Sequence, residues 1–325
     1  GMALTSSDAT LENVQVLDTL PALDGRSGRG IELGESSFLE ATDCLVQGSH
    51  GDGVLVETST AVLQGVQILD TRRDTKMTNA FGLISQIESV VVAADLTVRN
   101  TDGPGLYAAS ATIECMDCTL TDNAFAGAAV VAGGSLLLED ALIEGTVSGS
   151  ASSGLGVFVD DDGLDEMGAP SLTLQGSTVR DNEMGAVYIK GTGTHRLSDN
   201  SLSGGAGFTV GPGVWSHGDA VFVTAGDGSS STWDEELQEG ILIRDNVLSD
   251  SLGAGIFLDG ASGTLSGNAY EGNTIDLVRQ ACEGVDIPEG LDEEALTTTE
   301  LCPDYDYVTQ TLVLTPNLYE SEAEY

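Results

Sequence analysis

The chain has 325 residues, with 52 acidic against 11 basic side chains and a formal net charge of −41. This charge argues against nucleic acid, an anionic membrane surface or, without a bridging cation, a polyanionic sugar as partner. No apolar run approaches the roughly 18 residues of a membrane-spanning helix, and no signal peptide is visible. The 42 glycines and the aromatic content of only 5% favour a fold with many tight corners.

A template of alternating apolar residues recurs along the chain. From a starting residue, inward side chains are predicted at positions +2, +5 and +7, and polar turn residues at +9 and +10. Five of the nine gaps between copies are 22 or 23 residues long. This is therefore the length of one turn without insertions, and the longer gaps contain insertions. A fixed period of this length predicts a solenoid. The copies start at Ala9, Leu39, Ala61, Val91, Ile113, Leu136, Leu172, His195, Ile241 and Gly263.

A third strand with the pattern Gly-apolar-x-apolar follows the +10 residue, as at Gly30, Gly105 and Gly255. Three strands per turn of this length resemble the right-handed parallel β-helix of the pectate-lyase-like superfamily, in its bacterial surface and secreted type. The resemblance implies an all-β solenoid of about ten or eleven turns, three strands each, over residues 1–281. Residues 282–325 depart from the template and are predicted to form a C-terminal cap, because an open solenoid end exposes unpaired strand edges.

The first residues, Gly1-Met2-Ala3-Leu4, themselves match the third-strand pattern. We therefore expect the natural protein to extend upstream, with its export signal there and an extracellular or cell-surface location.

Five basic residues lie in the first two insertions. Their positive charge either steers the packing of one copy of the chain against another or pairs locally with acidic neighbours. These residues are Arg26, Arg29, Arg72, Arg73 and Lys76.

The cysteines fall into two groups. Cys44, Cys115 and Cys118 occupy inward positions and are most simply buried apolar side chains. Cys282 and Cys302 lie outside the repeat, in a segment with little core of its own, and are predicted to form a disulfide in an oxidising compartment. The three histidines, His50, His195 and His217, are expected at turns or corners.

The outward residue of the third strand is the most informative position. Aromatic residues occupy it on five of the last six turns, which predicts an exposed column of rings. The rings either stack on sugar faces, bury against a partner or a second copy, or are covered by a loop or the C-terminal segment. Trp215 and Trp233 lie in flanking insertions, as loop anchors or ligand platforms. The predicted ligand-binding face comprises Tyr107, Phe158, Tyr188, Phe222, Phe257, Trp215 and Trp233.

Next to this column, Asp160 and Lys190 fall on adjacent turns, so their side chains are expected to meet. In lyases of the superfamily a basic residue abstracts a proton beside a uronate carboxylate that Ca²⁺ neutralises. Lys190 and Asp160 are therefore the catalytic candidates of an alternative, lyase-like reading. Hard oxygen ligands at high density suit Ca²⁺. The possible calcium ligands are Asp160, Asp161, Asp162, Asp165 and Glu166.

Position +5 becomes Ser177, Asn200, Asn246 and Asn268 towards the end of the repeat, and stacked asparagines predict a structural amide ladder.

Together these features favour an exported, non-catalytic β-helix that binds a glycan or protein partner, or copies of itself, through the aromatic face. The alternatives are a polysaccharide lyase-like enzyme acting on a uronate polymer with Ca²⁺, and a passive spacer in a larger surface protein.

Overall fold

In a computed structural model, most of the described residues lie in β-strands. Among the described residues there is no helix, and therefore none long and apolar enough to cross a bilayer. The described residues are 1–21, 23, 28–74, 80–148, 153–161, 168–191, 193–205, 218–224, 240–259, 261, 263–280 and 298–300.

The strands are short and evenly spaced along the chain. The first four coils contain β1 (Met2–Thr5), β2 (Asp8–Glu12), β3 (Gln15–Leu17), β4 (Ile31–Gly34), β5 (Phe38–Thr42), β6 (Leu45–Gln47), β7 (Val54–Glu57), β8 (Thr60–Gln64), β9 (Gln67–Leu69), β10 (Leu83–Gln86), β11 (Val90–Ala94) and β12 (Thr97–Arg99). The next three contain β13 (Leu106–Ala109), β14 (Thr112–Met116), β15 (Thr119–Thr121), β16 (Phe125–Val131), β17 (Ser135–Glu139), β18 (Leu142–Glu144), β19 (Gly154–Asp160), β20 (Ser171–Gln175) and β21 (Thr178–Arg180). The last contain β22 (Gly185–Lys190), β23 (Thr194–Ser198), β24 (Ser201–Ser203), β25 (Val221–Thr224), β26 (Ile241–Arg244), β27 (Val247–Ser249), β28 (Ala254–Asp259), β29 (Thr264–Ser266), β30 (Ala269–Glu271), β31 (Ile275–Gln280) and β32 (Thr298–Glu300).

From β1 to β28, each strand pairs in parallel with the strand three places further along the chain. The result is three parallel sheets, of 12, 10 and 10 strands, that wrap around one axis. We call them sheet A (β1 to β31 in steps of three, then β32), sheet B (from β2) and sheet C (from β3). The predicted parallel β-helix with three strands per coil is confirmed.

The register agrees with the sequence template coil by coil. The starting residues pair directly, from Ala9 with Leu39 to His195 with Ile241. The apolar residues at +7 form another continuous file, from Val16 to Tyr270. A slip of one residue in any coil would turn its apolar set to solvent, so the inward pattern enforces this register.

The main core fills the space between the three sheets. Leucine, valine and isoleucine side chains at the inward positions are fully buried from the second coil to the ninth, as Leu39, Ile113 and Leu248 illustrate. His195 also lies inside this core with no exposed surface, so the expectation of a corner position for it was wrong. Its place at a template start explains the burial, because that position faces inward on every coil.

The corners between sheets explain much of the acidic composition. At positions +4 and +9 the backbone turns through positive φ, a conformation that favours aspartate, asparagine and glycine. Charge at these corners is therefore partly a consequence of backbone geometry. Eleven described aspartates adopt it, namely Asp18, Asp43, Asp70, Asp95, Asp117, Asp122, Asp140, Asp181, Asp199, Asp245 and Asp250.

The predicted amide ladder is present. Asn246 Oδ1 accepts hydrogen bonds from the backbone N and Nδ2 of Asn200, at 3.0 and 2.9 Å. Asn246 Nδ2 donates to Leu197 O and to Asn268 Oδ1, both at 3.0 Å. The ladder therefore passes hydrogen bonds across three coils at a buried corner and satisfies polar groups that would otherwise be costly there.

A second polar file occupies position +10, where the sequence shows only small polar or glycine residues. Asn123 Oδ1 accepts from Thr101 N at 3.3 Å, and Asn182 Oδ1 accepts from Thr146 N at 3.0 Å. Both asparagines are buried. Sequence reasoning assigned this position to turns, although the recurrence of asparagine there signalled the file.

Two of the inward cysteines differ from expectation. Cys115 and Cys118 are buried as predicted, but they form a disulfide between positions +2 and +5 of one coil. The template places both side chains inside the coil, on either side of the same corner, so the two sulfur atoms meet. Cys44 is buried as a free thiol. Cys282 and Cys302 lie outside the described residues, so their pairing stays a prediction.

Candidate functional site

The outward residues of sheet A form one continuous file, as predicted. It runs through Ala3, Glu32, Leu55, Ile84, Tyr107, Ala129, Phe158, Tyr188, Phe222 and Phe257. We call its five aromatic members the ring file. Four of them follow one another directly, with centroid distances of 5.6 Å for Phe158–Tyr188, 5.2 Å for Tyr188–Phe222 and 5.0 Å for Phe222–Phe257.

The expected exposure of the ring file was wrong. Tyr107, Phe158, Tyr188 and Phe222 are only 3–5% exposed, and Phe257 is half-buried. They belong to a second apolar cluster on the outside of sheet A, separate from the main core. The rings are thus packed side chains in this structure, which favours the covered arrangement among the three alternatives that the sequence left open.

Residues just before the sheet A strands or at their first position supply part of the cover. The Phe81 ring packs on Tyr107 with a centroid distance of 4.7 Å, and Phe125 meets Phe158 edge to face at 5.6 Å. Met184 belongs to the same cluster and is buried. Apolar residues at this corner are therefore explained by the second cluster, a signal that the strand template did not include.

The long insertions adjoin strands of sheet A in the chain order. The segments 162–167, 206–217 and 225–239, which contain the longest insertions, each follow or precede a strand of sheet A. Trp215 and Trp233 lie in these segments, outside the described residues. Each of these three segments directly precedes or follows a sheet A strand in the chain, and loops on a rigid scaffold commonly carry function.

An ion pair lies two residues beyond the ring file on adjacent sheet A strands. Lys190 Nζ lies 2.9 Å from Asp160 Oδ1, between paired residues of adjacent coils, as the sequence predicted. The Asp160 side chain is 12% exposed and the Lys190 side chain 33%. An ion pair uses the ammonium form of lysine, whereas proton abstraction needs the neutral amine. The pair therefore supports positioning of the two coils better than base catalysis.

The candidate calcium ligands are described only in part. Asp160 and Asp161 are described, and Asp162, Asp165 and Glu166 lie outside the described residues. Asp161 donates its backbone N–H to Lys190 O at 3.0 Å. Within the described part of the chain, no three acidic, histidine or cysteine side chains converge as a metal site would require. Calcium binding stays a prediction.

The described basic residues of the first insertions pair locally. Arg29 contacts Glu32 at 3.0 Å and Asp52 at 3.1 Å. Arg72 Nη1 lies 3.5 Å from Asp102 Oδ1 and donates to Asn100 O at 3.1 Å. This pattern favours the local-pairing alternative over steering of copies. Arg26 and Lys76 lie outside the described residues.

The buried carboxyl of Asp219 was missed by sequence reasoning. Asp219 lies just before β25, is 7% exposed and accepts a hydrogen bond from Ala254 N at 2.5 Å on Oδ1. Burial raises the pKa of Asp219 to about 7, and the hydrogen bond from Ala254 only partly opposes this. The signal in the sequence is weak, because this aspartate lies beside an insertion and in an otherwise apolar stretch.

Comparison with known proteins gives little beyond the fold. No protein-family model and no curated protein matches the chain. Among solved structures, the chain is similar to the catalytic domain of a GH87 alpha-1,3-glucanase in complex with tetrasaccharides, with 11% identity and a TM-score of 0.32. The match covers 84% of this chain and 54% of the glucanase chain, so the chain spans about half of that domain.

Proposed function

We propose that the chain is an exported, non-catalytic β-helix that binds a glycan or protein partner through the insertions around the outer face of sheet A. The observation that carries the proposal is the second apolar cluster on that face, bordered by the longest insertions. In this role the ring file is a packed apolar surface of the scaffold and not the contact surface for the ligand. The rings available for stacking on sugars are then those in the insertions, Trp215 and Trp233.

The rigidity of the scaffold supports a binding role. Parallel pairing on three sheets joins the coils, and polar files at two corners join several of them further. Loops held on such a frame lose little conformational entropy when they bind, which favours affinity without any induced rearrangement of the frame.

The paired state of Lys190 supports the non-catalytic reading over the lyase-like one. Its ammonium group contacts the Asp160 carboxylate, so a lyase reaction would first have to break this contact. Calcium, if it binds at residues 160–166, would serve to order the loop or to bridge an acidic partner to the acidic surface.

The proposal is tested by electrophoresis through gels that contain soluble neutral glucans or, separately, uronate polymers with CaCl₂. We expect one polymer class to retard the protein. The double variant Trp215→Ala/Trp233→Ala is expected to lose this retardation. Phe38→Ala, which removes an exposed ring on sheet B, is the matched control and should migrate as the unsubstituted chain does.

Two results would contradict the proposal. Retardation that survives the double substitution would place the glycan site elsewhere. Release of an unsaturated, ultraviolet-absorbing uronate product that Lys190→Ala abolishes would establish the lyase-like alternative. If no polymer retards the chain, light scattering with and without CaCl₂ tests the remaining form of the proposal, binding to copies of itself.

A further inference from the structure

A small cavity lies on the outer face of sheet A, beside the ring file. Mainly apolar side chains of three successive coils, Leu155, Met184, Tyr188 and Phe222, provide most of its lining. The lining contains one carboxyl, that of Asp219, besides the phenol of Tyr188. A carboxyl in such surroundings is costly unless both of its oxygens find partners, so its presence requires an explanation.

The structure fixes the position of this carboxyl. Oδ1 accepts the hydrogen bond from Ala254 N, and a Cβ atom at Gly253 would collide with the same oxygen. Glycine at 253 therefore allows the next coil to approach Asp219 closely. Among the described residues, the Ala254 contact is the only hydrogen bond of the Asp219 side chain. Oδ2 forms no hydrogen bond to the described residues, while Oδ1 holds the side chain in place.

The lining restricts the class of ligand. An anion is disfavoured by the carboxylate. A metal ion needs several oxygen ligands, and this lining offers one carboxyl among apolar side chains. A purely apolar molecule would leave Oδ2 without a partner. An ammonium group with a short alkyl substituent meets each condition, because its N–H donates to the carboxylate and its methyl carbon contacts the apolar wall.

We propose that the cavity beside Asp219 is a binding site for a small alkylammonium ligand, with Oδ2 accepting its N–H and the Met184 and Leu155 side chains contacting its alkyl group. The ammonium charge replaces the missing partner of the buried carboxylate. Since burial favours the protonated carboxyl, ligand binding requires Asp219 to be ionised, and alkaline conditions favour it. The site is independent of the proposed binding role of the insertions.

The experiment uses the full chain labelled with ¹³C at its methionine methyl groups, of which the sequence has five. Methylammonium chloride is titrated at pH 8, and NaCl at matched concentrations corrects for general screening. We expect a saturable shift of the Met184 methyl signal, assigned with Met184→Leu. The Met116 methyl, on the exposed face of sheet B, is the internal control and should not shift.

Two variants separate the site from the general attraction of cations to an acidic protein. Asp219→Asn keeps the side-chain shape and an oxygen for Ala254 N, and it should weaken binding at least tenfold. Asp140→Asn removes the same charge from an exposed corner and should leave binding unchanged. An equal shift with NaCl, no shift at Met184, or full binding by Asp219→Asn would each overturn the proposal.

Discussion

The amide ladder gives the sharpest prediction about stability. Replacing Asn246 with leucine keeps a side chain of similar size but removes every hydrogen bond of the amide. Four partners at a buried corner then lose their contacts: the N and Nδ2 of Asn200, the carbonyl of Leu197 and the Oδ1 of Asn268. Asn200 Nδ2 keeps its hydrogen bond to Leu174 O, and Asn268 Oδ1 keeps the one from the backbone N of residue 246. The loss is therefore four hydrogen bonds of about 1 kcal/mol each, or about 4 kcal/mol in total.

The apolar surface of leucine offsets part of this loss, by about 1–2 kcal/mol. We therefore expect the free energy of unfolding to fall by about 2–3 kcal/mol. Guanidinium unfolding monitored by tryptophan fluorescence measures the loss. Hydrogen exchange at the Asn200 amide, which loses its acceptor, should reveal where it occurs.

Asn268, at the end of the ladder, provides the matched control. It is half-buried, so water replaces the lost partners more easily, and Asn268→Leu should cost about 1 kcal/mol or less. The reasoning is refuted if Asn246→Leu unfolds within 1 kcal/mol of the unsubstituted chain, or if Asn268→Leu is the more damaging of the two.

Three further predictions concern the outer face of sheet A. Phe158→Ala should lower the free energy of unfolding by about 3–5 kcal/mol, because its ring is buried. Phe38→Ala, which removes an exposed ring, should change it by less than about 0.5 kcal/mol. Equal effects of the two substitutions in thermal melts would contradict the burial of Phe158. The pKa of Asp219 is raised from 3.8 to about 7, so the folded state binds the proton more tightly, and stability is lost as pH rises from 3.8 through 7. Near pH 4, the free energy of unfolding of Asp219→Asn should therefore equal that of the unsubstituted chain. At pH 8 it should be higher by up to about 4 kcal/mol, because each unit of pKa difference corresponds to 1.36 kcal/mol. Urea titrations that give the same difference at both pH values would exclude this linkage. If residues 160–166 bind Ca²⁺, adding CaCl₂ should raise Tm and EDTA should reverse the rise, with no such response in the variant Asp162→Asn/Asp165→Asn; an identical response in the variant would place the ion elsewhere.

The fold was predictable in detail because it is a repeated local pattern. The files that begin at Ala9 and Val16, and the outward file of sheet A, were all readable from spacing, since stacked coils align equivalent positions. The ion pair of Asp160 and Lys190 followed from the same alignment. Even the amide ladder could be predicted, because Asn200, Asn246 and Asn268 share one template position.

What lies over a surface was not predictable in this way. Period-two alternation tells which side chains leave the tube, but it gives no information on what covers them afterwards. The ring file at Tyr188 was therefore expected to be exposed, whereas corner residues such as Phe81 and Phe125 help to bury it. The disulfide between Cys115 and Cys118 likewise depended on the distance between two side chains across a corner, which the template does not specify.

The sequence by itself determined the coil, its register and the direction of each strand residue, because these depend on neighbours that recur at a fixed spacing. Only the tertiary structure decided which outward residues form a second apolar cluster and that the carboxyl of Asp219 is buried beside it. Both depend on contacts between corner residues and the sheet, and such contacts have no period in the sequence.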